Sequence, residues 1–232
     1  EGLRLRHPGV EVTVHQLAGR PSDVLADATR HAAVLALGTR GLGGIGGFLM
    51  GSVGLAVVAR AQQPVALVRA AEQAADEHTR DPAGVPSAAT PFRPVVLGLD
   101  TAGADDSVIG FAFDAAARRA TGLRVVNSWS LPLAYAYGMG IGFEPHDEIA
   151  RQQAVALSDL LGPWQRKFPA VEVETVSRTG SAATHLIDAS RDASLVVVGR
   201  RVRRSPLGAH IGPVAHAVLH HATSPVAVVA HS

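Results

Sequence analysis

The chain has 232 residues, 47% hydrophobic, 18% charged and 4% aromatic, and its 21 Lys+Arg against 20 Asp+Glu leave a net charge of +1. That apolar content excludes a disordered chain, and the near-neutral balance leaves no electrostatic footprint for nucleic acid or an anionic membrane. With no cysteine, disulfides, thiolate catalysis and cysteine-ligated metal are excluded.

In chain order, Ala33–Leu37 reads as a strand, the glycine-rich Leu37–Ser52 as a loop, Ser52–Ala61 as a helix and Pro64–Arg69 as a strand. Ala71–Thr90 is rich in Ala, Asp, Glu and Pro without apolar periodicity and reads as a linker. Pro94–Asp100 is an apolar strand, and Ser107–Ala120 has helical spacing with Ile109, Phe113, Ala116 and Ala117 on one face. Leu123–Trp129 is a strand, Asp147–Lys167 a helix that Gly162-Pro163 should kink or break, and Val171–Ser177 a strand. A short helix at Ala182–Asp192, a buried strand at Leu195–Val198, a helix at Gly212–Ala222 and a strand at Val226–Ala230 complete the chain. Short apolar strands alternating with amphipathic helices predict a parallel, doubly wound sheet.

The sequence also repeats itself at an offset of 161. Pro8, Val10, Glu11 and Val12 fall on Pro169, Val171, Glu172 and Val173; Gly19, Leu25, Asp27 and Ala28 fall on Gly180, Leu186, Asp188 and Ala189. Gly38, Gly51, Pro64, Val65 and Ala66 fall on Gly199, Gly212, Pro225, Val226 and Ala227 without a gap. Residues 1–70 therefore read as the later half of a first copy, 71–90 as a linker and 91–232 as a complete second copy. At roughly 150 residues per domain the length gives about one and a half domains. The opening at Glu1, with no Met and no signal peptide, reads as a fragment. Three of five strands are expected in the first copy, one of them around Val10–Val12, and that piece is expected to be poorly ordered or held only by the second.

The loop Leu37–Ser52 admits four readings. Residues 41–59 carry no charge and place Gly43, Gly47 and Gly51 at GxxxGxxxG spacing, as in a membrane span. The matching slot of the second copy holds Arg200, Arg201, Arg203 and Arg204, which argues against a span. Gly41, Gly43 and Gly46 satisfy GxGxxG, but residues 64–68 lack the carboxylate that a dinucleotide fold places about 20 positions on. A Walker A loop fails because no GK[ST] occurs. The fourth reading rests on Gly38-x2-Gly41-x9-Gly51-Ser52, set between a strand and a helix, together with the proline-valine strand at Pro64–Arg69 and a VxxxD strand ending at Asp100. This pattern resembles the nucleotide loop of universal stress proteins, and the likeness covers the chain apart from the linker.

Glycines at 38 and 41 let backbone approach a ribose and phosphate closely. Gly51 and Ser52 stand where a helix begins, so free N–H groups and the positive dipole end face an anion. The Ser52 hydroxyl can cap that helix or donate to a phosphate; a flexible loop with an ordinary serine cap is the plainer alternative. The resemblance implies a Rossmann-like sheet of five parallel strands ordered 3-2-1-4-5, with ligands at the switch between strands 1 and 4. It also implies a cytoplasmic, ATP-binding stress-response protein, with or without Mg, acting by nucleotide-dependent conformation or partner binding. The implied nucleotide set is Gly38, Gly41, Gly51, Ser52 and Val53, with Asp100, Gly199 and Gly212 in the second copy. There Val202 replaces the second glycine and Pro213 the serine, removing an N–H and a hydroxyl. The four arginines could hold phosphate, but a solvated face is the favoured reading. Asp100 is either the adenine-side carboxylate or a cap on the turn into the next helix. Slow ATP hydrolysis or self-phosphorylation is implied only by resemblance, with no residue to name as base.

His216 and His220 stand one helical turn apart, the spacing of two zinc ligands, but both point away from the apolar face set by Ile211, Val214, Ala215, Val218 and Ala222 and read as surface residues. His185, His210, His221 and His231 show no ligand spacing, and no metal site is expected. The loop Ser130–His146 gathers Tyr135, Tyr137, Met139 and Phe143 among glycines; ordinary packing is favoured there over a lid or partner surface. A non-nucleotide interaction module using this loop is the rival reading of the whole chain. No G-x-S-x-G elbow occurs and no carboxylates cluster for phosphoryl transfer. The Val-rich strands Val65–Arg69 and Val226–Ala230 are exposed edges, and their pairing within a chain or between chains would cover them.

Overall fold

The computed structural model describes residues 2–39, 51–69, 73–130, 144–202 and 211–232. Strands β1 (Leu35–Thr39), β2 (Val65–Arg69), β3 (Val95–Gly98), β4 (Leu123–Trp129), β5 (Val173–Thr179), β6 (Leu195–Arg201) and β7 (Val226–His231) form one sheet in the order β1-β2-β7-β6-β3-β4-β5. Neighbours are parallel except β2 and β7, which are antiparallel. The expected sheet of five is therefore the larger part of a sheet of seven. The strands of residues 91–232 lie in the order β5-β4-β3-β6-β7, and β2 and β1 continue from β7 in the reverse direction.

The seam pairs Val65 with Val228, Ala66 with Ala227 and Leu67 with Val226. At the 161 offset Val65 corresponds to Val226 and Leu67 to Val228, so the pairing maps onto itself about the Ala66–Ala227 pair. Each strand covers the hydrogen-bonding edge of the other.

Helices α1 (Gly2–Arg6), α2 (Pro21–Ala28), α3 (Ser52–Arg60), α4 (Asp106–Arg118), α5 (Glu144–Lys167), α6 (Ala182–Ala189) and α7 (Pro213–His221) complete the elements used below. The bounds of α2 and α6, and of α3 and α7, differ by 161, because the same local pattern recurs. One face of the sheet carries a core shared across the seam, with Val57, Val58 and Leu67 packed in one cluster with Leu186, Val196, Val218, Leu219 and Val226. On the other face α4 and α5 bury Ile109, Phe113, Leu157 and Leu161 against Leu97 and Val197. Apolar residues in β6 are buried on both faces, whereas Ala36 of β1 is exposed beside half-buried Leu35 and Leu37.

Two expectations are corrected. The segment around Val10–Val12 forms no strand, and Val10 and Val14 are 61% and 85% exposed. Its counterpart β5 is held by β4, and residues 1–70 contain no counterpart of β4, so the segment's backbone has no ladder to join. Among the described residues, α2, α3, β1 and β2 of the first piece are held by the seam and the shared core.

The second correction concerns α5, which runs unbroken through Pro163. A proline inside a helix costs about 3 kcal/mol. Burial of Leu157 and Leu161, and the approach of Trp164 and Phe168 to Phe113 at ring-centroid distances of 6.1 and 5.6 Å, offset that cost.

Residues 73–93, which include most of the segment read as a linker, carry local structure and pack on the second half. A 3-10 turn at Ala74–Glu77 leads into bridges between His78 and Phe92 and between Arg80 and Pro86. His78 is buried against the Phe92 ring at 3.9 Å, and Arg93 donates to its carbonyl at 2.9 Å. Glu77 lies 3.7 Å from Arg119, yet its burial pushes the carboxyl above the usual range.

Candidate functional site

β3 and β6 are adjacent and parallel, but the helices that follow them pack on opposite faces, α4 on one and α7 on the other. The chains diverge at the carboxyl ends of these strands and open a cleft of about 470 Å³. Its walls include Gly98, Asp100, Gly103, Asp105, Ser128, Gly199, Arg201, Gly212, Pro213 and His231.

Asp100 follows β3 and is exposed at the mouth. Its Oδ1 accepts the Ala102 N–H at 3.0 Å, and its carbonyl accepts the Gly103 N–H at 3.2 Å. It therefore stabilises the tight turn after the strand, while Asp105 caps α4, accepting the Ser107 N–H at 2.9 Å and its hydroxyl at 2.5 Å. Those bonds, the Ser107 hydroxyl first, hold the Asp105 carboxyl below the usual range, and the neighbouring His231 adds to the effect. Gly212 is the N-cap of α7 and Pro213 its first residue, with no side-chain cap. The first free N–H groups of that helix thus belong to Val214 and Ala215, both on the cleft wall.

Side chains lie close over two of the cleft glycines, a largely buried ring over Gly199 and the mobile end of exposed Arg201 over Gly103. A Cβ on Gly199 would stand 2.9 Å from His231 Nε2 and 3.4 Å from Val108 Cγ2; one on Gly103 would stand 2.6 Å from Arg201 Nη2. On the far wall Ser128 Oγ lies 3.0 Å from His185 Nδ1. Buried Asn127 ties β4 to its neighbours, donating to the Leu99 carbonyl at 3.0 Å and accepting from Ser177 Oγ at 3.1 Å.

The structure thus brings together Asp100, Gly199 and Gly212. Gly38, Gly51, Ser52 and Val53 lie across the seam, at the carboxyl end of β1 and the start of α3. Because the seam is antiparallel, that end of β1 points to the opposite end of the sheet from the cleft. Gly51 repeats the backbone of Gly212, with φ −62° and ψ 155° against −60° and 156°. Ser52 is the first helical residue and makes no cap, since Gly51 holds that position. Gly41 lies outside the described residues, as do Arg203, Arg204, His210 and the aromatic residues Tyr135, Tyr137 and Phe143 with Met139.

Arg200 departs from the solvated face expected of it. β6 continues through Arg201, so successive side chains point to opposite faces. Arg200 is 4% exposed and donates across the seam to the Ala61 carbonyl at the end of α3; burial lowers the pKa of its guanidinium. Arg69 makes the reciprocal bond to the Ala222 carbonyl at the end of α7. Ala61 and Ala222 are themselves 161 apart. Composition carried no sign of this, because the partner of each arginine lies more than a hundred residues away. His231 and Asp105, with Nδ1 to Oδ2 at 3.8 Å, escaped sequence reading for the same reason.

Among the described residues no helix is long and apolar enough to cross a membrane, and no three His, Cys, Asp or Glu side chains gather as metal ligands. His216 is exposed and His220 half-buried, their ring centroids 4.5 Å apart.

The family model described as universal stress protein family matches residues 1–69 and 91–230. The chain belongs to the universal stress protein family. Universal stress proteins of Mycobacterium bovis and Mycobacterium tuberculosis are each 32% identical to it over 222 residues, covering 94% of this chain and 65% of the relative. A Mycolicibacterium smegmatis universal stress protein is 31% identical over 205 residues, covering 88% and 64%. The chain thus spans just under two thirds of the length of these relatives. The fold is shared with a universal stress protein of Archaeoglobus fulgidus, at a TM-score of 0.65 and 16% identity over 99% of this chain and 75% of that one. A Pseudomonas aeruginosa structure gives 0.63 at the same identity and coverage.

Proposed function

We propose that this universal stress protein binds an adenine nucleotide, ATP being the working ligand with or without Mg, and acts in a stress response through nucleotide-dependent conformation or partner binding, without substrate turnover. The observation that carries the reading is the 470 Å³ cleft at the strand switch point, where Asp100, Gly199 and the start of α7 converge. Its volume suits a nucleotide, within the roughly 300–1,000 Å³ of small-molecule sites. The carboxylate on one bank suits the donor edge of a base, and the helix start on the other suits phosphate.

We further propose that residues 1–70 and 91–232 are two copies of one nucleotide-binding unit joined through 71–90. In the first, Gly38, Gly41, Gly51, Ser52 and Val53 supply only the phosphate side, which supports weaker binding there. The proposed setting is cytoplasmic.

Calorimetric titration of ATP into the chain tests the reading. Saturable binding is expected, weakened at least about tenfold by Gly199→Val, whose side chain would fill the space under His231. No binding by a folded chain would favour the rival, a protein-interaction module of the same fold. Phosphate release abolished by Ser52→Ala would instead show a hydrolase.

A further inference from the structure

We propose that His231 is a proton-gated ligand for the anionic part of the nucleotide in the second-half cleft, so that this site binds more tightly as pH falls. The inference rests on the nucleotide reading above and names the regulation of that site. Pro213 removes one N–H and the hydroxyl that Ser52 carries at the matching place in the first half. His231 lines the same cleft and carries a side chain able to donate. Its side chain is nine-tenths buried, yet it lines the cleft, and its Nε2 is the atom nearest a Cβ built on Gly199, at 2.9 Å.

The ring is held by its other nitrogen. Nδ1 lies 3.2 Å from the Ser232 carbonyl and 3.8 Å from Asp105 Oδ2, which leaves Nε2 on the side of Gly199. The groups that face it are Asp105 ahead of α4, apolar Val108 on α4, and Arg201 of β6, its register partner on the same face of the sheet. With Nδ1 donating to the carbonyl or carboxylate, a neutral ring turns a lone pair toward the cleft and repels phosphate. A protonated ring donates from both nitrogens.

Charge balance moves the same way. The guanidinium of Arg200 is committed to the Ala61 carbonyl, so among the described residues the mouth holds Asp100 and Asp105 against Arg201. Among those groups the balance is net negative with a neutral ring and even with a charged one. An imidazole is the side-chain type that changes charge between about pH 5 and 8, which sets the two pH values of the test.

The test is ATP titration at pH 6 and pH 8 into the wild type and His231→Gln, which keeps a polar side chain but cannot titrate. A charge-assisted hydrogen bond gained on protonation should tighten wild-type binding about tenfold at the lower pH. His231→Gln should show only the smaller change due to ATP's own titration. Equal pH ratios in the two proteins overturn the gate and leave the nucleotide reading intact; no binding by wild type at either pH overturns both. Imidazole NMR of the wild type guards against a misfolded variant. The His231 titration midpoint should rise when ATP is bound, and an unmoved midpoint overturns the proposal.

Discussion

Truncating Leu67 to Ala tests whether the two halves share one core. Leu67 sits in β2 opposite Val226 and is 1% exposed, in a cluster that includes Val57 and Val58 from one side of the seam and Val218, Leu219 and Val228 from the other. Removing three buried carbons forfeits about 0.8 kcal/mol each, and a cavity that relaxes only in part adds about 1 kcal/mol more. The expected loss is therefore about 3–4 kcal/mol, within the range of buried Leu→Ala changes. Urea unfolding followed by far-UV dichroism and by tryptophan fluorescence is the assay. Both tryptophans, Trp129 and Trp164, lie in the second half, so fluorescence reports that half alone. If the core is shared, both signals shift together to lower urea with the same slope. A loss below about 1 kcal/mol, or a dichroism transition that moves while the fluorescence transition stays, would refute the shared core.

Three further outcomes follow from local geometry. Ala120, just beyond α4, has φ +48°, so Ala120→Gly should stabilise the chain by about 1 kcal/mol in thermal unfolding. Asp105→Ala should cost about 1 kcal/mol at neutral pH through loss of the α4 cap. Because the Asp105 carboxyl is depressed, its contribution is present above the unfolded value of about 3.9 and lost as pH falls through the folded one, so the two melting curves should converge in acid. Glu77 has the opposite sign. Burial raises its folded value, so stability falls as pH climbs from about 4.3 through that value, and Glu77→Gln should flatten this fall in urea melts between pH 4 and 7.

Elements governed by near neighbours were legible in the sequence. The apolar face of Ser107–Ala120 became the buried Ile109, Phe113 and Ala116 of α4, although Ala117, read on the same face, is exposed, and the α7 helix was placed to within one residue at each end. Long-range pairing was not legible. The side to which Arg200 points depends on β6 running three residues past Val198, and its acceptor at Ala61 is brought near only by the seam. Pro163 reads locally as a break, but aromatic contacts from a helix some fifty residues earlier outweigh it. Val10–Val12 erred the other way: its alternation is that of a strand, but alternation supplies no neighbour to bond. On the cleft wall, Gly199 and Gly212 had been singled out through the repeat and Asp100 through the family resemblance, while His231 was weighed only against metal-ligand spacing.

The self-mapping register at Ala66 and Ala227 has a consequence for how this surface can diverge. Two separate molecules joined by such a contact must carry every substitution twice, and their association weakens on dilution. Within one chain the contact has a fixed effective concentration, and each side is free to change alone. The residues around it show that freedom: Arg69 stands where its counterpart is Ala230, and Arg200 where its counterpart is Thr39. Each arginine reaches the corresponding helix end of the other half, so the two sides of one seam make equivalent bonds from different positions.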